Sequence, residues 1–332
     1  MSISKDSRIG VIGYGSWATA LVSVLTSSGR RVSWHILNPE ILEGVREESF
    51  NVKYLPDKEL DSSLIDASAD VNEVVCASDI LILAMPSAYL KSYLEPCAQN
   101  LEGKFLVSAV KGIVPEENLT VTGYLHGVLG VPYSRMGVIC GPTHAEEVAL
   151  GRMTYITAAC EDVTDAQAVK EILGGRNLKV EVSSDIYGLE YAAVAKNIYA
   201  IAAGMATGLG YGDNFLAVLV SSCAAEMERF LSLTGPSGTV KTDRNRLGDL
   251  LVTCYSSYSR NRRLGQLIGK GCSVKSALNE MTMVAEGYFA ACGMHEICAR
   301  HGIEMPIMEM VYNVLYCKAS ARKEMKKLSE TL

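Results

Sequence analysis

The 332 residues predict two domains: an α/β domain on a mostly parallel, doubly wound sheet over residues 1–188, and an all-α domain over residues 189–332. Three observations carry this reading. The chain is longer than a single hydrophobic core usually serves. Up to about residue 188, short and nearly continuous apolar runs alternate with amphipathic stretches, the pattern of strands covered on both faces by crossover helices. From Ile186 onward the β-rich runs stop and helical periodicity takes over.

In chain order, "RIGVIG" (Arg8–Gly13), "RVSWHIL" (Arg31–Leu37), "DILILAMP" (Asp79–Pro86), "KFLVSAV" (Lys104–Val110) and "RMGVIC" (Arg135–Cys140) read as buried strands. "TYITAA" and "LKVEVSS" add two more, and between them "TDAQAVKEILGG" reads as a helix closed by Gly174 and Gly175. The later helices are predicted over Leu189–Thr207, Asn214–Leu233, Ser259–Ile268, Ser273–Glu280, Gly287–His301 and Met308–Leu328. Glycine-rich loops such as "GLGYGD", "TGPSG" and "GKG" join them.

Composition excludes several function classes. At 48% hydrophobic and 20% charged, the chain has an ordinary globular make-up. Its net charge of −6 argues against nucleic acid or an anionic membrane as partner, so an anionic ligand would need a local positive cluster. The ten cysteines are irregularly spaced with no Cys-x-x-Cys, which predicts reduced thiols in a cytoplasmic protein. Five scattered histidines without metal-ligand spacing predict no metal site. The N-terminal "MSISKDS" is polar, unlike a signal peptide. No uncharged apolar run approaches the ~20 residues that span a bilayer, so stable membrane insertion is not expected.

Five stretches could carry chemistry. In "GVIGYGSWATAL" a strand ends in Gly13-x-Gly15-x-x-Ala18 and a helix follows. Gly13 permits the tight turn, Gly15 lets a pyrophosphate approach the backbone, and Ala18 allows close helix–strand packing. Alone, the run is also compatible with an ordinary glycine turn. At the tip of the second predicted strand, Asn38 occupies the position that discriminates a ribose hydroxyl from a 2′-phosphate. Glu40 is close by and no arginine occupies the tip, which leans towards NAD over NADP.

Lys111 follows a buried strand at the sheet edge where ligands collect, and is equally readable as a solvated strand-end lysine. In "CGPTHAEEV", Thr143-x-x-Glu146 has capping-box spacing and presents a helix start at the same edge. "SRNRR" (Ser259–Arg263) gathers donors at a helix start, suited to a phosphate or simply a solvated basic face.

The most pointed residue is Lys196, in the middle of a helix that is apolar on nearly every side. A lysine is almost never fully buried without a partner, so it either snorkels to water or faces a polar cavity. Burial would lower its pKa and suit it to exchange a proton with a hydroxyl or carbonyl. Asp249 could orient it and Asn197 could hydrogen-bond a ligand.

Taken together, "GYGSWATALV", "YLP" (Tyr54–Pro56), "VKG", "GPTHAEEV", "KNIYAIAAG", "GLGYGDN", "GDLLVTC", "SRNRR" and "MVAEG" resemble, in order and over nearly the whole chain, the bacterial-type NAD(P)-dependent glycerol-3-phosphate dehydrogenases. The resemblance implies a Rossmann-like domain with a helical C-terminal domain, a homodimer, and an NAD(H) or NADP(H) cofactor. It implies reversible reduction of dihydroxyacetone phosphate to sn-glycerol 3-phosphate for phospholipid synthesis. By motif, Lys196 would be the proton-exchanging residue. Lys111, Gly141, Thr143, Asp249, Ser259, Arg260 and Asn261 would contact substrate. Ser16, Trp17, Lys111, Ala145, Arg260, Val284 and Glu286 would contact cofactor.

The chain departs from the family pattern at three places. Ala18 stands where glycine is usual, Asn38 where a basic residue is common, and "TDRNRLGDL" (Thr242–Leu250) replaces a small, glycine-rich run. Arg244, Asn245 and Arg246 are expected to reshape the substrate loop or to pair with nearby acids such as Asp243. Two other readings compete: a hydroxyacid or ketopantoate-type reductase of the same architecture, and a dinucleotide sensor without turnover.

Overall fold

The computed structural model describes residues 3–236, 239, 243–281 and 283–332. The chain divides into two compact units, Met1–Val110 with Val121–Ile186, and Lys111–Thr120 with Tyr187–Leu332.

The first unit begins with β1 (Ile9–Ile12), α1 (Ser16–Ser27), β2 (Val32–His35), α2 (Pro39–Glu43), β3 (Ile65–Ser68), α3 (Val71–Ala77), β4 (Ile80–Leu83), α4 (Leu90–Leu94) and β5 (Phe105–Ser108). The chain then makes a small hairpin, β6 (Ile113–Val114) and β7 (Leu119–Thr120), which belongs to the second unit. It returns as α5 (Val121–Gly127), β8 (Met136–Cys140), α6 (Ala145–Ala149), β9 (Thr154–Cys160), α7 (Val163–Leu173) and β10 (Leu178–Ser183).

Eight strands form one sheet in the order β10-β9-β8-β5-β4-β1-β2-β3. Every neighbouring pair is parallel except β8 with β9. The expected doubly wound architecture follows, because the chain runs outward one way from β1 and the other way from β4. Those two strands therefore flank the switch point, where ligands collect beyond the strand ends. The central strands are apolar on both faces: β1, β4, β5 and β8 are buried at every position. The edge strand β3, "IDAS", is only half-buried and carries too few apolar side chains to announce itself in sequence.

Gly13 leaves β1 at φ +114, and a Cβ there would lie 2.4 Å from the Ala84 carbonyl oxygen. Only glycine fits that turn. The buried indole of Trp34 on β2 donates to the Gly13 carbonyl at 2.7 Å and holds the turn from the other side.

The second unit adds α8 (Ile186–Leu209), α9 (Asp213–Thr234), α10 (Arg244–Tyr255), α11 (Arg260–Gly269), α12 (Val274–Glu280), α13 (Glu286–His301), α14 (Pro306–Tyr316) and α15 (Ala321–Ser329). Its core is built from small and sulfur-bearing side chains around α8, among them Ala200, Ala203, Met205, Cys223 and Met294. Four glycines explain how closely α8 and α11 approach. A Cβ on Gly204 would lie 2.1 Å from the Arg262 carbonyl oxygen, and one on Gly265 2.1 Å from that of Ile201. Gly208 and Gly269 repeat the contact one turn on, their Cβ positions 3.0 Å from each other's Cα. Backbone packs directly on backbone, which fixes the two helices in register.

Three sequence expectations need correction. The helix expected over Met308–Leu328 is two, because Lys318 adopts φ 58 between α14 and α15. The helix α10 was not foreseen: Asp243 caps it, accepting from the amides of Asn245 and Arg246 at 2.8 Å each. The capping box at Thr143 does not form, since α6 starts at Ala145 with His144 in the cap position and Thr143 donates to the Gly141 carbonyl at 3.1 Å. Thr242, from the atypical run before Asp249, lies outside the described residues.

All ten cysteines are free thiols. Among the described residues no group of three or more His, Cys, Asp or Glu could hold a metal ion, and no helix is long and apolar enough to cross a membrane.

Candidate active site

In the first unit, the turn after β1 places Gly15 at the N-cap of α1. No side chain caps that helix, so its first amides point outward as donors for an anion. Gly13 has an internal reason to be glycine, whereas a Cβ on Gly15 would meet nothing within 4 Å. The space above Gly15 is what a pyrophosphate needs. Ala18 is fully buried at the helix–sheet contact, and Ser16 and Trp17 form the first turn beside it. Trp17 packs against Ala20, Ala145 and Val148. Its buried indole N–H has no hydrogen-bond partner among the described residues. These residues fit a dinucleotide.

Asn51 went unnoticed in sequence. It is fully buried, donates to the Tyr14 carbonyl at 2.9 Å and to Thr19 Oγ1 at 2.8 Å, and accepts from the amides of Lys53 and Tyr54. It therefore ties the "YLP" segment to the loop after β1. Its only signal was a lone asparagine just ahead of that motif. Asn38 caps α2, accepting from the Ile41 amide at 3.1 Å, and Glu40 pairs with Lys53 at 2.5 Å. Both residues weighed for the ribose thus hold local structure.

Gly141 ends β8 at φ +154, where a Cβ would lie 2.6 Å from the Tyr155 carbonyl oxygen. Thr143 and Ala145 follow at the start of α6.

In the second unit the buried-lysine question is answered. Lys196 is only 5% exposed, and its Nζ donates to Oδ1 of Asp249 and, at 3.1 Å, to Oγ1 of Thr253. It does not snorkel. Asp249, 4% exposed, takes Lys111 Nζ on its other oxygen at 3.4 Å. One buried carboxylate thus faces two ammonium groups. Thr253 sits one turn after Asp249 on α10 and donates back to its carbonyl at 2.5 Å, so helix geometry sets the acid and hydroxyl side by side. Sequence reasoning missed Thr253.

A chain of amides braces this cluster. Asn197 donates to the carbonyls of Lys111 at 2.6 Å and Ala193 at 3.2 Å, which commits both its N–H groups. It is a brace for the Lys111 backbone, not the ligand donor expected. Asn261 donates to Asn197 Oδ1 at 2.9 Å and accepts from the Gly287 amide at 2.9 Å. Ser259 caps α11, accepting from the Arg262 amide at 3.2 Å, and Arg260 stands exposed at its first position. Glu286 opens α13 and Val284 precedes it, both partly exposed. Behind Asp249, burial pushes the Cys254 thiol up to about 12, which rules it out as a nucleophile at neutral pH.

A lysine–carboxylate–lysine cluster braced by two asparagines, in one chain with a dinucleotide turn, narrows the comparison with known proteins. The family profile "NAD-dependent glycerol-3-phosphate dehydrogenase N-terminus" matches residues 8–166, and the corresponding C-terminus profile matches residues 185–326. The chain belongs to the NAD-dependent glycerol-3-phosphate dehydrogenase family. Glycerol-3-phosphate dehydrogenase [NAD(P)+] 1 of Salinibacter ruber is 39% identical over 97% of this chain and 95% of its own length. The enzyme of that name from Prosthecochloris aestuarii is 37% identical over 93% of both. Among solved structures, the glycerol-3-phosphate dehydrogenase of Coxiella burnetii superimposes with a TM-score of 0.90 at 28% identity, covering 98% of this chain and 99% of that one. The cofactor of this glycerol-3-phosphate dehydrogenase chain is NAD(H) or NADP(H).

Proposed function

We propose that this chain reduces dihydroxyacetone phosphate reversibly to sn-glycerol 3-phosphate, with the Lys196–Asp249–Lys111 cluster as the catalytic centre. A bound nicotinamide cofactor would supply the hydride to the carbonyl carbon. Lys196 gives one proton to the carbonyl oxygen, and takes it back in oxidation, so the atoms balance as C=O plus H⁻ plus H⁺ to CH–OH. Asp249 and Thr253 aim its Nζ, and Lys111 brings a second positive charge to the oxygen as electron density builds on it.

The substrate phosphate goes to the start of α11, where Ser259, Arg260 and the spare N–H of Asn261 supply donors. The family resemblance adds Gly141 and Thr143 to the substrate residues. Gly13, Gly15, Ser16, Trp17, Ala18, Asn38 and Ala145 of the first unit would hold the cofactor, and the family resemblance adds Lys111, Arg260, Val284 and Glu286. Most of the proposed cofactor residues lie within residues 1–188, while Lys196, Asp249, Ser259, Arg260 and Asn261 of the proposed substrate set lie within residues 189–332. The observation that carries the reading is the buried ammonium of Lys196, paired yet held among polar groups. The product feeds phospholipid synthesis in the cytoplasm, and the working form is a homodimer.

The test is oxidation of NADH and of NADPH by the purified chain, with and without dihydroxyacetone phosphate. Substrate-dependent oxidation is expected, and the ratio of the two rates gives the cofactor preference. Cofactor binding without turnover on the triose phosphate would overturn the proposal.

A further inference from the structure

A cavity of about 830 Å³ opens in the second unit beside the end of α11, along α12 and at the α14–α15 junction. It is not the Lys196 cluster: Leu209, which lines it, lies about 20 Å along α8 from Lys196 at ~1.5 Å per residue. Lys270, Lys275, Lys318 and Arg322 line it, and no aspartate or glutamate does. None of these four side chains makes a hydrogen bond or ion pair with another described residue.

That is an unusual distribution in a chain of net charge −6. Four cations sharing one concavity repel one another, and no carboxylate among the lining residues offsets them. Lys318 also holds φ 58, a backbone conformation glycine adopts freely and lysine only at a cost. Glycine would hold that conformation without strain. Two tyrosines, Tyr288 and Tyr316, also line the cavity. Tyr288 and Tyr316 stack at 4.9 Å and 28°, and the Tyr316 hydroxyl donates to the Tyr288 carbonyl at 2.7 Å, which fixes the rings. The volume falls within the ~300–1,000 Å³ of small-molecule sites.

We propose that this cavity binds a small phosphate-rich anion with a flat body, of the nucleoside polyphosphate class. Lys270, Lys275, Lys318 and Arg322 take the phosphates, and Tyr288 takes the ring face, Tyr316 being already stacked on both Tyr288 and Tyr312. The lining of the cavity includes none of the residues proposed above for substrate or cofactor.

Isothermal titration of the full chain with ATP, and with tripolyphosphate as the ringless probe, tests this in metal-free buffer with saturating NADH present. The expected result is saturable ATP binding near one per chain, tighter than tripolyphosphate. Affinity should fall about tenfold or more in Lys275→Gln/Arg322→Gln and again in Lys270→Gln/Lys318→Gln. The exposed positions of all four keep these variants folded, and their KM for dihydroxyacetone phosphate should stay at the wild-type value. Absence of saturable binding overturns the proposal, as does an affinity untouched by both double variants. So does binding abolished by NADH, which would put the anion in the dinucleotide site. Equal affinity for the two probes would overturn the choice of a nucleoside.

Discussion

Lys196 and Asp249 form an ion pair in which both partners are about nineteen-twentieths buried, the ammonium donating to one carboxylate oxygen while Lys111 reaches the other. A pair so enclosed is a costly way to stabilise a fold, since two ions lose their hydration for one attraction. It makes sense as a device for aiming a proton donor. Lys196→Ala should lower kcat about 10²–10⁴-fold while NADH affinity, read by fluorescence titration, stays near normal. A fully active variant would return Lys196 to a purely structural role.

Thr253 holds Lys196 through one hydroxyl. Thr253→Val keeps the shape and removes that acceptor. A drop in kcat of about tenfold is expected, with KM little changed. Thr253→Ser should restore kcat. A variant with wild-type kcat would show that Asp249 alone positions the lysine.

The glycine contact between α8 and α11 predicts a stability effect away from the chemistry. Gly204→Ala would force a methyl against the Arg262 carbonyl oxygen, at 2.1 Å before relaxation. The helices must separate, at about 1–3 kcal/mol or more, seen as a lower urea midpoint. An unchanged midpoint would mean that the helices part without loss.

Glu226, buried in the helical core, accepts from the amides of Ile307 at 2.8 Å and Met308 at 3.1 Å at the start of α14. Burial raises its pKa above 4.5, outweighing the lowering by those amides. A carboxyl raised in the folded state contributes stability that is fully present below its unfolded pKa. That contribution is lost as pH rises through the folded one. Wild-type stability from this group therefore declines upward from about pH 4.5. Glu226→Gln lacks the decline, so urea midpoints of the two proteins plotted from about pH 5 to about pH 8 should converge or cross. Parallel curves would sink the idea.

Arg246 is the most informative departure from the family pattern. Its side chain is 1% exposed and its Nε lies 3.1 Å from Asp243, the acid named as a partner from sequence. Arg246→Gly should cost about 1–3 kcal/mol and raise KM, because it loosens the turn of α10 that precedes Asp249. The exposed Arg244→Gly should stay within about 0.5 kcal/mol. If both left stability, KM and kcat alone, the segment would have no bearing on the site.

How much of this was legible in the sequence follows from what each residue answers to. Buried strands such as "ILIL" are apolar because both faces are covered, so they could be read directly. The dinucleotide turn was legible because Gly13 has a steric reason that no other residue meets. Lys196 stood out because its charge contradicts its helix. What escaped depends on partners remote in sequence. Asn51 matters only because Tyr14 and Thr19 fold onto it, and Asn197 turned from ligand donor to brace because its two protons find carbonyls. The glycines of α8 looked like weak helix formers until α11 lay against them. The short hairpin β6–β7 left no periodicity long enough to detect.

That hairpin belongs to a unit whose other residues begin at Tyr187. The helical half is therefore not a module that can be exchanged by cutting the gene at one point. Grafting residues 189–332 onto another nucleotide-binding half would leave Lys111 behind. Asp249 would lose its second cation, and Asn197 the carbonyl that anchors it. A recombinant of that kind inherits the proposed proton donor with half of its setting missing, so the two halves of this fold can be shuffled only together with the ten-residue loop that interrupts the first.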